Sequence, residues 1–199
     1  MKLRGLYAIT PEDIGCVADA LASGALCALQ YRSKSADRAR RRVEALTLAQ
    51  LCRRHGVPLI INDDLELALE IGAAGVHLGR GDGDLAAARA RLPGRILGAS
   101  CYDRLDLARS AVAAGADYVA FGSVFASSTK PGAVRAPLAL FGHRLGVPKI
   151  AIGGITVENA AQLAAAGADA VAVISDLFEA PDVAARAREY AKVFDHDIA

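Results

Sequence analysis

Short runs of β-branched and aromatic residues alternate with longer stretches rich in Ala, Leu and Arg along the whole chain. Few folds accept that rhythm. A parallel strand is reached from its neighbour only through a crossover, so repeated strand-helix units build a parallel sheet covered by helices. Eight units are counted, with strand candidates GLYAIT from Gly5, LCALQYRS from Leu26, PLIIND from Pro58, GVHLG from Gly75, RILGAS from Arg95, DYVAFGSVF from Asp117, PKIAIGGI from Pro148 and AVAVIS from Ala170. The expected architecture is an α/β fold, a (β/α)8 or TIM barrel. At 199 residues, 53% of them hydrophobic, the chain has material for one large core and sits near the lower size limit of such a barrel. A single domain over residues 1–199 is expected.

Punctuation agrees with this reading. Asp103 and Thr156 are suited to cap helix starts, and Gly24, Gly56, Gly115 and Gly167 to end helices in the left-handed conformation. A weak repeat, IGAAGV at Ile71, AGADYV at Ala114 and AGADAV at Ala166, sets a helix stop directly before a strand, as at the bottom of a barrel. No linker, charge block or low-complexity segment divides the chain. Two longer loops, Gly79 to Asp84 and Ala126 to Pro137, both follow strands, where barrels of this kind build their active sites.

The formal net charge is +1 with scattered cations, which offers no footprint for nucleic acid or an anionic membrane. Small-molecule partners are expected. No apolar run approaches the roughly 20 residues that span a bilayer, and Met1 to Pro11 lacks a signal-peptide core, so a cytoplasmic location is expected. Cys16, Cys27, Cys52 and Cys101 form no CxxC pair and read as idle thiols. Helix faces on a barrel serve solvent or a partner equally well, which leaves room for a homo-oligomer.

Chemistry-bearing residues gather at strand ends. In QYRSK, alternation puts Gln30, Arg32 and Lys34 on one face and Tyr31 and Ser33 on the other. Two cations and an amide at a barrel mouth suit a pyrophosphate clamp, or else make surface ion pairs. Asn62, Asp63 and Asp64 end the third strand and Asp82 and Asp84 follow the fourth; these carboxylates suit a hard cation such as Mg2+, while Asp64 and Asp84 equally suit helix caps. After the sixth strand, Ser127, Ser128, Thr129 and Lys130 form a candidate anion cradle or a solvated connection. Gly153, Gly154 and Ser175 occupy the place where many barrels bind phosphate through backbone NH groups, unless the glycines merely relieve crowding. His77 alone of the four histidines falls on a strand, lining a pocket or packing in the core. No Ser/His/Asp or Cys/His set is apparent, which favours charge stabilisation and positioning over covalent hydrolysis.

Taken in order, LYAITP, QYRSK, INDD, GVHLGRGD, GAS, FGSVFASSTKPGA, IGGIT and AVISDLF resemble the thiamine phosphate synthase family over essentially the whole chain. The resemblance implies a transferase joining 4-amino-2-methyl-5-hydroxymethylpyrimidine diphosphate to a thiazole phosphate, with release of pyrophosphate. It implies that Gln30, Tyr31, Arg32, Ser33, Lys34, Asn62 and Lys130 serve the pyrimidine diphosphate, Ser100 the pyrimidine, and Asp63 and Asp82 a Mg2+ ion. Ser127, Ser128, Thr129, Gly154, Ile174 and Ser175 would receive the thiazole phosphate, with Arg32, Lys34 and Lys130 as the catalytic cations. The chain departs from the family at Arg80-Gly81-Asp82, where Gln-Glu-Asp is usual, leaving Asp82 and Asp84 both in view as the second ligand, and at Ser127 and Ser128, where Thr and Pro are common. Three rivals share these features: a thiazole tautomerase, a noncatalytic paralogue that binds thiamine precursors, and another phosphate-binding barrel acting on phosphoribosyl substrates. Retention of the cations and both acidic loops disfavours the first, turnover separates the second, and QYRSK is unexplained by the third.

Overall fold

Eight parallel strands pair in sequence order and close: β1 (Gly5–Ile9), β2 (Leu26–Tyr31), β3 (Leu59–Asn62), β4 (Gly75–Leu78), β5 (Ile96–Tyr102), β6 (Tyr118–Gly122), β7 (Lys149–Ile152) and β8 (Ala170–Val173). The closing seam runs from Gly5 opposite Ala170 to Ala8 opposite Val173. This computed structural model describes residues 3–126 and 134–195. Helices α1 (Val17–Ala22), α2 (Arg38–His55), α3 (Leu65–Glu70), α4 (Leu85–Arg91) and α5 (Leu105–Ala113) follow the first five strands, and α6 (Val157–Ala165) follows β7. After β8 come α7 (Ser175–Phe178) and α8 (Val183–Asp195). The sixth unit departs from the expected pattern. Among the described residues the β6–β7 connection holds only a 3-10 turn, Leu138–Gly142, because Pro137 and Gly142 bracket too few residues for a longer helix.

Covered on both faces, the strands are almost wholly buried, which is why they read as continuous apolar runs rather than alternating ones. Outward side chains meet the helices; α2, for example, turns Ala45, Leu48, Ala49 and Cys52 inward at helical spacing. Inward side chains, including Tyr7, Ile60, Tyr118, Ala120, Ile150, Ala170 and Ala172, fill the barrel. Two glycines make room there. A Cβ on Gly98 would lie 2.1 Å from Cζ of Tyr118, and one on Gly75 would lie 2.3 Å from the Ile96 carbonyl oxygen.

Gly24, Gly56, Gly115 and Gly167 all take positive φ at helix ends. Asp103, by contrast, is not the cap of α5: Arg104 occupies that position and makes no side-chain capping bond. Two copies of the repeat, those carrying Asp117 and Asp169, share a geometry at the bottom of the barrel. Asp117 accepts from the Leu97 amide through its side chain at 2.8 Å while its own NH donates to the Leu97 carbonyl at 2.7 Å. Asp169 does the same to Lys149, at 2.8 and 2.9 Å. A cavity of about 450 Å³ at this end is lined by Arg89, Arg95 and Asp117 among others, but the Arg89 guanidinium is already occupied by Asp117 and the carbonyls of Leu92 and Arg95.

Replacing Asp169 with Ala leaves the Lys149 amide without its acceptor, so Asp169→Ala should lose about 1–3 kcal/mol of stability, read as a Tm several degrees lower. Asp169→Asn, which keeps an acceptor oxygen, should recover at least half of the loss. Equal melting of Asp169→Ala and the parent chain would remove this pair from the account of the fold.

Candidate active site

The loops at the C-terminal ends of the strands begin where the backbone leaves the ladder, and at β2 one threonine controls that departure. Thr10, buried just past β1, accepts from the Arg32 amide at 3.0 Å and donates to the Arg32 carbonyl at 3.2 Å through the same hydroxyl. Its own amide donates to the Gln30 carbonyl at 2.9 Å. The segment carrying Arg32, Ser33 and Lys34 is therefore held against β1, with the Lys34 side chain exposed.

Gln30 points into the barrel and donates from Nε2 to Oδ1 of Asn62 at 3.0 Å; Asn62 in turn donates from Nδ2 to Oδ2 of Asp63 at 2.5 Å. Asp63 adopts a left-handed φ of 62° that turns its carboxyl toward Asp82. Burial, then the hydrogen bond and charge of Asp82, push Asp63 up to about 6, against the opposing pull of Asn62 and the Arg32 guanidinium. Asp82 is also fixed by the Gly79 amide at 2.7 Å. The neighbouring acids are helix caps: Asp64 accepts from Leu67 NH at 2.9 Å and Asp84 from Ala87 NH at 2.7 Å. Of the two acids left in view after β4, Asp82 is the one that faces Asp63.

The Tyr31 side chain does not join this group. It lies on the outward face of β2, and its hydroxyl donates to Glu44 of α2 at 2.7 Å, with Ser33 beside it. The resemblance sets Tyr31 and Ser33 at the diphosphate site; the Tyr31 hydroxyl is held by Glu44, and Ser33 accepts from the Ser35 amide at 3.3 Å. The physical reason is the strand alternation that separated these two residues from Gln30.

Deeper in the barrel, four side chains from four strands form a hydrogen-bonded row. Tyr7 and Tyr118 meet through their hydroxyls at 2.8 Å, Tyr118 meets Nδ1 of His77 at 2.9 Å, and Nε2 of His77 meets Oγ of Ser100 at 2.8 Å. Burial pushes His77 down to about 4, so it is neutral at pH 7. The sequence left His77 between pocket and core; it belongs to both, since Ser100 is the part-exposed end of a buried row.

At the far side of the mouth, Gly153 and Gly154 take φ of 102° and 64°. A Cβ on Gly154 would lie 2.2 Å from the Ala126 carbonyl oxygen, so the loops after β6 and β7 touch across it. Ile174 precedes α7 and Ser175 opens it, and α7 is tied to α8 by Asp176, which accepts from the Tyr190 hydroxyl at 2.7 Å and pairs with Arg186 at 3.1 Å. Ser127, Ser128, Thr129 and Lys130 lie outside the described residues. The four cysteines are free, and burial raises Cys27, Cys52 and Cys101 to about 12.

Barrels that set cations, amides and facing carboxylates at this end, beside a turn made of glycine, form a class of enzymes handling phosphorylated small molecules. The profile of the thiamine monophosphate synthase family matches residues 6–177. Thiamine-phosphate synthase of Aromatoleum aromaticum is 58% identical over 204 aligned positions, covering 98% of each chain. That of Chromobacterium violaceum is 56% identical over 202, covering 97% of each. Thiamine phosphate pyrophosphorylase from Pyrococcus furiosus superposes with a TM-score of 0.87 at 33% identity, covering 100% of this chain and 98% of that one. The chain belongs to the thiamine monophosphate synthase family.

Thr10, Tyr7 and Tyr118 were not singled out from the sequence. Thr10 stood within LYAITP without a role, and the signal for the tyrosines was their shared inward phase on GLYAIT and DYVAFG.

Thr10→Val keeps the shape and deletes both bonds to Arg32, leaving a buried amide unpaired at a cost of about 1–3 kcal/mol. Hydrogen exchange at the Arg32 amide should accelerate at least about tenfold, with Thr10→Ser close to the parent. Unchanged exchange in the valine variant would mean that something else holds this segment.

Proposed function

We propose that this chain catalyses the joining of 4-amino-2-methyl-5-hydroxymethylpyrimidine diphosphate to a thiazole phosphate, giving thiamine phosphate and pyrophosphate. The observation that carries the reading is near-full-length identity of 58% to a thiamine-phosphate synthase in a chain whose resembling motifs, among the described residues, meet at one mouth. Gln30 and Asn62 bind the pyrimidine diphosphate with Arg32, Lys34 and Lys130, and Ser100 contacts the pyrimidine. Gly154, Ile174 and Ser175 take the thiazole phosphate together with Ser127, Ser128 and Thr129. No helix among the described residues is long and apolar enough to cross a membrane, and the reading places the enzyme in the cytoplasm with its small-molecule substrates.

The donor set fits Mg2+. Burial first, and then the facing Asp82 carboxylate, raise the Asp63 carboxyl, and a hard divalent cation held between the two would favour its ionised form. Among the described residues no third His, Cys, Asp or Glu joins them, which suits an ion completed by substrate phosphate oxygens. When bound, the ion neutralises charge on the departing pyrophosphate.

Arg32, Lys34 and Lys130 neutralise the same developing charge as the bond from the pyrimidine methylene carbon to the diphosphate oxygen breaks, the electron pair leaving with pyrophosphate. The electron-rich aminopyrimidine supports the cation left on the methylene. The thiazole nitrogen then attacks with its lone pair and becomes a quaternary thiazolium, so no proton needs to be removed and no general base is required. The protein's task is to hold two rings in line.

The test is pyrophosphate release from the pyrimidine diphosphate and thiazole phosphate, with Mg2+ and with a chelator. Release should require both substrates and the metal; tight binding without turnover would move the assignment to a sensor or a tautomerase. Asp82→Asn should raise the half-saturating Mg2+ concentration by about tenfold or more, whereas Asp84→Ala should lose about 1 kcal/mol of stability as a helix cap with its metal dependence intact. Lys130→Ala should lower turnover by roughly 10²–10³-fold in a folded protein.

A further inference from the structure

We infer that His77 is a positioning residue whose Nε2–H donates to Ser100, so that the Ser100 hydroxyl proton is turned outward as a donor to a ring nitrogen of the pyrimidine. This deepens the proposed function and rests on that reading for the identity of the ligand; the direction of the hydrogen bonds does not.

The direction follows from counting protons along the buried row. Neutral imidazole has one donor nitrogen and one acceptor nitrogen, so the row can run only two ways. In one, Tyr7 donates to Tyr118, Tyr118 donates to Nδ1, and Nε2–H donates to Ser100. Every buried proton then has an acceptor, and the Ser100 proton is left for a ligand. In the other, Ser100 donates to Nε2, Nδ1–H donates to Tyr118, and Tyr118 donates to Tyr7. The Tyr7 proton then has nowhere to go: Tyr7 is 2% exposed, and among the described residues Tyr118 is the hydrogen-bond partner of its hydroxyl. A buried unpaired donor is penalised and a part-exposed serine proton is not, so the first direction wins.

The surroundings are built for it. Gly98 has no side chain, which lets the Tyr118 ring cross to His77 and lie nearly parallel to it, the centroids 5.5 Å apart with 24° between planes. Ile60, Ala120 and Ile150 belong to the same buried cluster as the tyrosines, and although the Cys27 thiol packs against it and interacts with both rings, no hydrogen bond joins it to Tyr7 among the described residues. Tyr7 at the base of the row thus sets which atom Ser100 offers at the mouth.

Nitrogen-15 spectra of histidine-labelled protein without substrate test the direction alone, with the His77 signals assigned by their loss in His77→Gln. The expected spectrum has a protonated Nε2 and an unprotonated Nδ1 at pH 7; the opposite tautomer overturns the inference, whatever the enzyme's substrate. The consequence is tested by affinity for the pyrimidine diphosphate and for analogues with one ring nitrogen replaced by CH. One analogue should bind the parent protein about tenfold more weakly, and Ser100→Ala should no longer distinguish it from the natural ligand. His77→Leu combined with Ser100→Ala should be no worse than either alone, while His77→Gln, which keeps an N–H donor, should recover most of the affinity. Additive losses, or discrimination that survives in Ser100→Ala, would reduce His77 to a packing residue. Failure of any pyrimidine diphosphate to bind the parent protein would refute the proposed function and leave the tautomer result standing.

Discussion

Pairing between β1 and β8 is the constraint from which the rest follows. A sheet closed on itself has no free edge, so every strand amide and carbonyl within the ladder is satisfied inside the barrel. Closure also fixes the volume that inward side chains must fill. That volume admits Tyr118 only because Gly98 faces it, and the bulky inner layer leaves polar residues to the last inward positions before each strand ends. Gln30, Asn62, His77 and Ser100 all hold such positions. The chemistry is at the mouth because the interior is full.

Where strands end, the backbone departs from ordinary conformations. Asp63 and Tyr102 are the two non-glycine residues at positive φ among those described, and both sit at strand ends around the mouth. Conformations of this kind typically cost about 1–3 kcal/mol each and persist only where surrounding contacts over-determine them. For Asp63 those contacts are its amide on the His77 carbonyl at 2.8 Å and the Asp64 amide on the Asn62 carbonyl, also at 2.8 Å. The result is a carboxyl aimed at another carboxyl. Two like charges held together oppose folding, and under the proposed function a divalent cation would offset them. Opposed carboxylates beside Arg32 make sense where a cation and a diphosphate arrive together.

Strands were legible because a strand buried on both faces must be apolar throughout. Their ends were read too far: DYVAFGSVF and PKIAIGGI ran on into loop residues, since Val124, Phe125 and Ile155 are as apolar as the strands they follow but pack outside the ladder. Caps were legible where side chain and position agreed, as at Gly56 and Thr156, and misread at Asp103, one residue before the true cap of α5. Alternation separated the Gln30 and Arg32 side chains from that of Tyr31, but the Glu44 carboxylate that holds the Tyr31 hydroxyl is on a helix 13 residues away and is not legible in the motif. The Tyr7–Tyr118 contact spans 111 residues and depends on the register between β5 and β6. A tyrosine on a buried strand reads as core until its hydroxyl's partner is known.

Two hydrogen-bonded rows now reach the same mouth by different routes. Gln30, Asn62 and Asp63 lead across β2 and β3 to the carboxylate pair, while Tyr7, Tyr118, His77 and Ser100 lead across β1, β6, β4 and β5. The first ends on charge and the second is neutral throughout. That division matches a substrate with a highly charged diphosphate at one end and an uncharged ring at the other. Burial explains why the neutral row carries no ion: desolvation of a charged imidazole in an apolar barrel outweighs the opposing pull of the Asp82 carboxylate, and His77 is held neutral accordingly. Under the proposed function, a neutral row would leave positive charge to the arginine and lysine side chains at the rim, beside the departing pyrophosphate, and away from the ring whose methylene carries a cation. Hydrogen-bond direction along this row would, under the same proposed function, recognise the ring without setting a positive charge beside the developing carbocation.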